Sequence, residues 1–205
     1  MAKLTDTDKK NIANAIAKVE SSTSGELITV IAHDSDSYLY IPVLWAALAA
    51  LLVPLIFWLS DQWYSLEVIY LTQFVVFLSL GFVFRWDPIK MKLIPKQVKY
   101  LRAGRVAREQ FFSQNLHQTT GRTGVLIFVS LAEHYVEIIA DKGINDVVPE
   151  DAWEQAVSDF LEKVKAGQLA EGFLAVVKDC GELLKEHFPD DKDNKNELPN
   201  HFIEI

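Results

Sequence analysis

Cysteine is almost absent from this chain: the one thiol, Cys180, excludes an internal disulfide and fits a reducing compartment. It sits in a helical apolar pattern, where it is expected as a small core residue. Met1 to Glu20 is polar and charged and lacks the apolar run that a cleavable signal peptide needs, so the N-terminus is expected to be retained. Charge is missing altogether from Ser37 to Ser60. Lys and Arg are missing from the polar segment Ser60-Asp61-Gln62-Trp63-Tyr64-Ser65 that follows. No Ser/His/Asp or Cys/His catalytic pattern stands out, and there is no pair of metal-ligand dipeptides. Gly121-Arg122-Thr123-Gly124 is too short and wrongly spaced for a phosphate-binding loop. Nothing in these motifs demonstrates an enzyme.

The uncharged stretch has a partner. Val68 to Phe84 is a second apolar run, extended by Leu66 and flanking aromatics, with Glu67 placed to reach an interface. About 20 apolar residues at 1.5 Å rise cross a hydrocarbon core of about 30 Å. The two runs predict a transmembrane hairpin over residues 37–86. Trp45, Trp58, Trp63 and Trp86, with Tyr38, Tyr40 and Tyr64, cluster near the ends of the spans, where an apolar ring with a polar edge is favoured. Two buried helices in a soluble core are the alternative, but neither run has a polar face to turn outward.

The formal net charge is −8, yet Arg85, Lys90, Lys92, Lys96, Lys99, Arg102, Arg105 and Arg108 follow the second span against Asp87 alone. Positive residues near span ends stay in the cytoplasm, so both termini and everything after Phe84 are expected there. Lys90, Lys92, Lys96, Lys99, Arg102 and Arg105 are expected at the membrane surface, where a basic segment meets anionic headgroups. Nucleic acid is not expected as a partner, because neither interleaved aromatics nor a recognised motif accompanies the charge. Ala46, Ala47, Ala49 and Ala50 permit close helix approach, which leaves homo-oligomerisation through the hairpin open.

Outside the hairpin the pattern is α/β. Thr5-Asp6-Thr7-Asp8 caps a helix through about Ser21, with Ile12, Ile16 and Val19 on one face. Ser24-Gly25 breaks it, and Leu27 to Ala32 reads as a buried strand. After Pro95 a helix runs to about Gln118. Val125 to Leu131 and Val136 to Ala140 read as two strands joined by a tight antiparallel turn at Ala132-Glu133-His134-Tyr135. Pro149 opens an amphipathic helix carrying Trp153, Ala156, Val157, Phe160, Leu161 and Val164. Gly167 closes it, and a last helix runs from about Leu169 to His187 before Pro189. The acidic, Asn-rich stretch 190–196 is expected to be mobile, and the apolar end 201–205 to dock. The expected division is 1–36 and 87–188 for the interrupted cytoplasmic domain, 37–86 for the hairpin and 189–205 for a tail.

The order of these elements, with Thr-Gly-Val-Leu-Ile-Phe-Val-Ser at 123–130, Val-Glu-Ile-Ile-Ala-Asp-Lys-Gly-Ile at 136–144, Val-Pro at 148 and 149 and then Trp153, resembles the TPM domain family. More narrowly it resembles small bacterial members in which a transmembrane hairpin interrupts the domain. The resemblance implies an α/β/α sandwich in the bacterial inner membrane. For some relatives it implies calcium binding and acid phosphatase activity, and for others a part in assembling or repairing membrane complexes. Where better-known exported members have Gly-Tyr-Gly after the third strand, this chain has Ala140-Asp141-Lys142-Gly143, and their signal peptide and glycine-rich tail are not found.

A right-handed crossover makes the first two strands parallel and the tight turn makes the third antiparallel to both. Glu26, Arg122 and Asp141 then share one end of the sheet, with Asp146, Glu150 and Asp151 near it. Glu26, Asp141, Asp146 and Asp151 are candidate oxygen ligands for Ca²⁺ or Mg²⁺, with Arg122 a candidate anion-binding residue beside them. The plainer reading has the acids favouring a helix N-terminus and Arg122 pairing Asp141. His33, Asp34, Asp36, Glu133 and His134 are expected at the opposite end, and His117 as a helix C-terminal charge. The leading functional reading is an interaction or assembly module for other membrane proteins; the alternative is a metal-dependent phosphatase acting on phosphate esters.

Overall fold

The computed structural model describes residues 4–60, 62–190, 197–198 and 202–205. The expectation of mobility falls almost wholly on residues 191–196, outside the described ones, as do Asp61 and His201. The chain divides into two compact units, Met1–Ser35 with Ala103–Ile205, and Asp36–Arg102.

The first unit is built on a four-stranded sheet ordered β3-β2-β1-β4: β1 (Glu26–Ala32), β2 (Gly124–Ser130), β3 (Tyr135–Ala140) and β4 (Phe202–Glu204). β1 runs parallel to β2 and to β4, and β3 is antiparallel to β2. Both faces of β1 and β2 are buried, which is why these strands are continuous apolar runs rather than alternating ones. Leu27, Ile31, Val125, Ile127 and Val129 face the core formed with α1 (Asp6–Glu20), α8 (Glu150–Lys165) and α9 (Leu169–His187). Ile28, Val30, Ala32, Leu126 and Phe128 face Ala103, Ala107 and Phe111 of α6 (Lys96–Ser113). Helices thus cover both faces of the sheet, the α/β/α arrangement expected. Cys180 is fully buried in the first core, and burial pushes its thiol well above the ordinary range.

Local chemistry explains the element ends. Thr5 and Asp8 form a reciprocal capping box, with Asp8 N–H donating to Thr5 Oγ1 at 3.2 Å and Thr5 N–H to Asp8 Oδ2 at 2.9 Å. The expected helix to Gln118 stops instead at Ser113, because Asn115 turns left-handed with φ 60° and a short 3-10 turn, Leu116–Gln118, follows. The apolar end docks as β4, whose Ile205 N–H donates to Ile31 C=O at 3.0 Å.

The second unit contains α2 (Tyr40–Leu51), α3 (Val53–Leu59), α4 (Leu66–Val83) and α5 (Asp87–Leu93). The first apolar run is interrupted at Leu52, where Pro54 lies in the first turn of α3 and has no N–H to continue the ladder. α2 and α3 both pack against α4, and a side chain built on Gly81 would meet Ala46 at only 4.0 Å, so small residues set the approach. Tyr38, Ile41 and Ile94 form a separate small core with Met91, Leu93 and Val98. This packing carries the unit on past the hairpin to Arg102.

Candidate functional site

Three loops and the C-terminal segment converge at the end of the sheet where β1 and β2 begin and β3 ends. The register sets Glu26 against Gly124 and Val125 against Ala140, so Glu26, Arg122 and Asp141 share this end as the topology requires. Arg122, at φ 55°, closes a turn by donating its N–H to Thr119 C=O at 3.0 Å. Its guanidinium pairs with Asp141, Nη2 donating to Oδ1 at 2.9 Å while Nε lies 2.7 Å from Oδ2 as an ion-pair contact. The Asp141 side chain is 6% exposed and that of Arg122 55%. Asp141 also caps α7 (Lys142–Asn145), accepting Lys142 N–H at 2.7 Å. Gly143 is required beside this pair, since a Cβ there would lie 2.4 Å from Gly121 O.

Beside it lies a pair of carboxyl groups that sequence reasoning missed in part. Glu20 ends α1, four residues beyond Ile16 and eight beyond Ile12, on the buried stripe. Leu27 N–H donates to Glu20 Oε1 at 3.0 Å, and Glu197 N–H to Glu26 Oε1 at 2.9 Å. Both side chains are buried, and neither Oε2 has a donor among the described residues. Burial first, and then the charge and hydrogen bond of the adjoining Glu26, raise the Glu20 carboxyl to about 8 against the lowering effect of the Leu27 N–H. Burial likewise raises Glu26. One proton shared between them, with Glu20 donating to Glu26, answers both orphaned oxygens. Thr120 N–H donates to the Glu197 carboxylate at 3.0 Å, so Glu197 is strapped to this end.

The remaining sequence candidates are placed differently. Asp146 and Asp151 are exposed, and among the described residues no three His, Cys, Asp or Glu side chains lie close enough to hold a metal ion. Glu26 and Asp141 are therefore the two of the four candidate ligands brought to one end, and Asp141 is engaged by Arg122. At the opposite end Glu133 is buried, accepting Ser35 N–H at 3.0 Å and the Ser130 hydroxyl. His33 and Asp34 are exposed, 3.8 Å apart. Of the basic residues, Lys90 pairs with Asp87 at 2.8 Å, Arg102 with Asp36 at 3.1 Å and Arg105 with Glu109 at 2.8 Å. Lys99 donates to Met91 C=O at 3.2 Å, and Lys92 and Lys96 are exposed.

The TPM domain family matches residues 96–183, which run from α6 through β2, β3 and α8 into α9. The NMR structure of BA42 protein from the psychrophilic bacterium Bizionia argentinensis is similar over 100% of this chain and 97% of its own, with a TM-score of 0.62 at 21% sequence identity. That likeness is one of fold. No curated protein matches the sequence significantly. The Arg122–Asp141 pair, β2 and β3 all lie inside the segment that is similar to the TPM domain family.

Proposed function

We propose that this chain is a membrane-anchored TPM-domain protein whose α/β unit acts in the bacterial cytoplasm as an interaction or assembly module for other membrane proteins. The observation that carries the anchor is the state of the apolar helices. Leu66–Val83 has a mean hydropathy of 1.9 with none of that stretch buried, and Tyr40–Leu59 has 2.3 with 28% buried. An apolar helix from the core of a soluble protein is mostly covered, whereas here Phe82 is 81% and Trp58 77% exposed. Such a surface supports a hydrocarbon environment. The basic residues after the second helix favour the cytoplasmic side for both termini and contact with anionic headgroups through Lys92 and Lys96.

The interaction reading is favoured by the chemistry of the acidic end. Asp141 is committed to Arg122 and one Glu26 oxygen to the Glu197 backbone, and among the described residues no group of three acids or histidines gathers there to hold a metal ion. A mild-detergent pull-down from native membranes, with sizing of the complex, tests the reading. A stoichiometric partner is expected, and a hairpin-mediated homo-oligomer would show as a multiple of the chain mass. A solitary protein that hydrolyses phosphate esters, and loses that activity in Asp141→Asn, would replace the module with the phosphatase.

A further inference from the structure

The outer edge of β3 opens onto a groove of about 620 Å³ whose other wall is α8. Among the described residues β3 has one strand neighbour, β2, so its far side is an edge. Asp141 N–H donates inward to Gly124 C=O, and backbone groups alternate in direction along a strand, so those of Ile139 and Glu137 also point to β2. Those of Ala140, Ile138 and Val136 point outward. Ala140 C=O accepts from Asn145 Nδ2 at 2.8 Å; Ile138 and Val136 present two N–H and two C=O groups to the groove. Val148, Trp153 and Val157 make its apolar wall. The Trp153 indole N–H has no acceptor among the described residues, although the residue is 8% exposed.

We infer that this groove binds an extended segment of a partner protein, added to β3 as a further antiparallel or parallel strand, with apolar side chains toward α8 and Lys or Arg between them. The inference rests on the interaction-module reading and names its surface. Unpaired strand edges select an extended backbone, and alternate pockets select its side chains. Charge selects the rest. Glu154 lines the groove from α8 and Glu137 from the other face of β3, where it accepts the Tyr135 hydroxyl at 2.9 Å; Asp151 and Asp146 are exposed nearby on α8 and just before it, and among the described residues no basic side chain lines it. A second copy pairing through the same edge, centred on Glu137, would set Glu137 against Glu137, and like charges directly opposed weaken a strand pair. A cationic strand meets no such penalty.

The test uses the full chain in detergent micelles and a fluorescent octapeptide alternating Val and Lys. Three companions are a Val/Glu peptide, a Val/Lys peptide N-methylated at alternate amides, and the Glu154→Lys variant, whose exposed position leaves the fold intact. Binding of the Val/Lys peptide is expected to perturb Trp153 emission, to weaken at least tenfold in Glu154→Lys, and to be lost on methylating one of the two sets of amides. No binding at millimolar peptide, equal binding of the Val/Glu peptide, or binding that survives methylation of each of the two alternating sets of amides in turn, overturns the groove. A membrane partner retained by Glu154→Lys as well as by the parent chain would remove the groove while leaving the interaction module standing.

Discussion

Glu20 and Glu26 meet inside the protein, each with one oxygen held by a backbone N–H and the other left facing its neighbour. One lies at the end of α1 and the other at the start of β1, so the pair ties the first helix to the sheet. Glu197 N–H, donating to Glu26, ties Glu197 to the same junction.

That junction makes stability fall with rising pH. The Glu20 carboxyl titrates near 8 in the folded chain and near 4.3 when unfolded, so between these values the folded state holds the extra proton. The contribution is full below about pH 4.3, is lost progressively as pH rises through about 8, and changes by at most about 1.4 kcal/mol per pH unit. Glu20→Gln keeps a neutral hydrogen-bonding group and is expected to flatten the profile. Denaturant midpoints from pH 5 to 9 check it, and a parent chain whose midpoint rises over this range would contradict it.

The Arg122–Asp141 pair predicts an asymmetry between neighbouring acids. Arg122→Ala strands a buried carboxylate and is expected to cost about 1–3 kcal/mol. Asp146→Asn, at an exposed position, is expected to stay within about 0.5 kcal/mol of the parent. Arg122→Lys keeps the charge but not the fork, and should fall between them. Urea unfolding of the three variants ranks them; a large loss in Asp146→Asn alone would point to an ion held by the outer acids.

An arginine on the exposed surface of α4 separates a bilayer from water. Val75 is 52% exposed, and an exposed site in water tolerates Arg with little change. At the centre of a membrane helix the same residue costs about 2.5–3.5 kcal/mol. Val75→Arg is expected to shift the protein out of the alkali-resistant membrane fraction; unchanged fractionation would count against a lipid-facing α4.

The parts of the fold legible in the sequence are those specified locally. The capping box at Thr5, the apolar runs of β1 and β2, the periodicity of α8 and the Gly167 and Pro189 stops all lie where their chemistry places them. Glu26, Arg122 and Asp141 share one end of the sheet because the parallel β1–β2 and antiparallel β2–β3 registers decide it. What escaped depends on contacts distant in sequence. Glu20 reads as an ordinary charge in a last helical turn until the strand and tail fold over it, though its spacing from Ile12 and Ile16 was the available signal. β4 is three residues long and exists because β1 offers an edge. Asn115 interrupts a helical pattern that Leu116 continues, so only the left-handed backbone marks the end of α6. α5 was signalled by Pro88 in its first turn after Trp86, a cue submerged in the basic run.

The most direct test of the anchored, cytoplasmic arrangement is a pair of fusions to a reporter enzyme active only outside the cytoplasm, one at Gln62 between the apolar helices and one after Ile205. The account predicts activity at Gln62 and none at the C-terminus; activity at the C-terminus, or silence at both sites with the protein recovered as a soluble species, would contradict it.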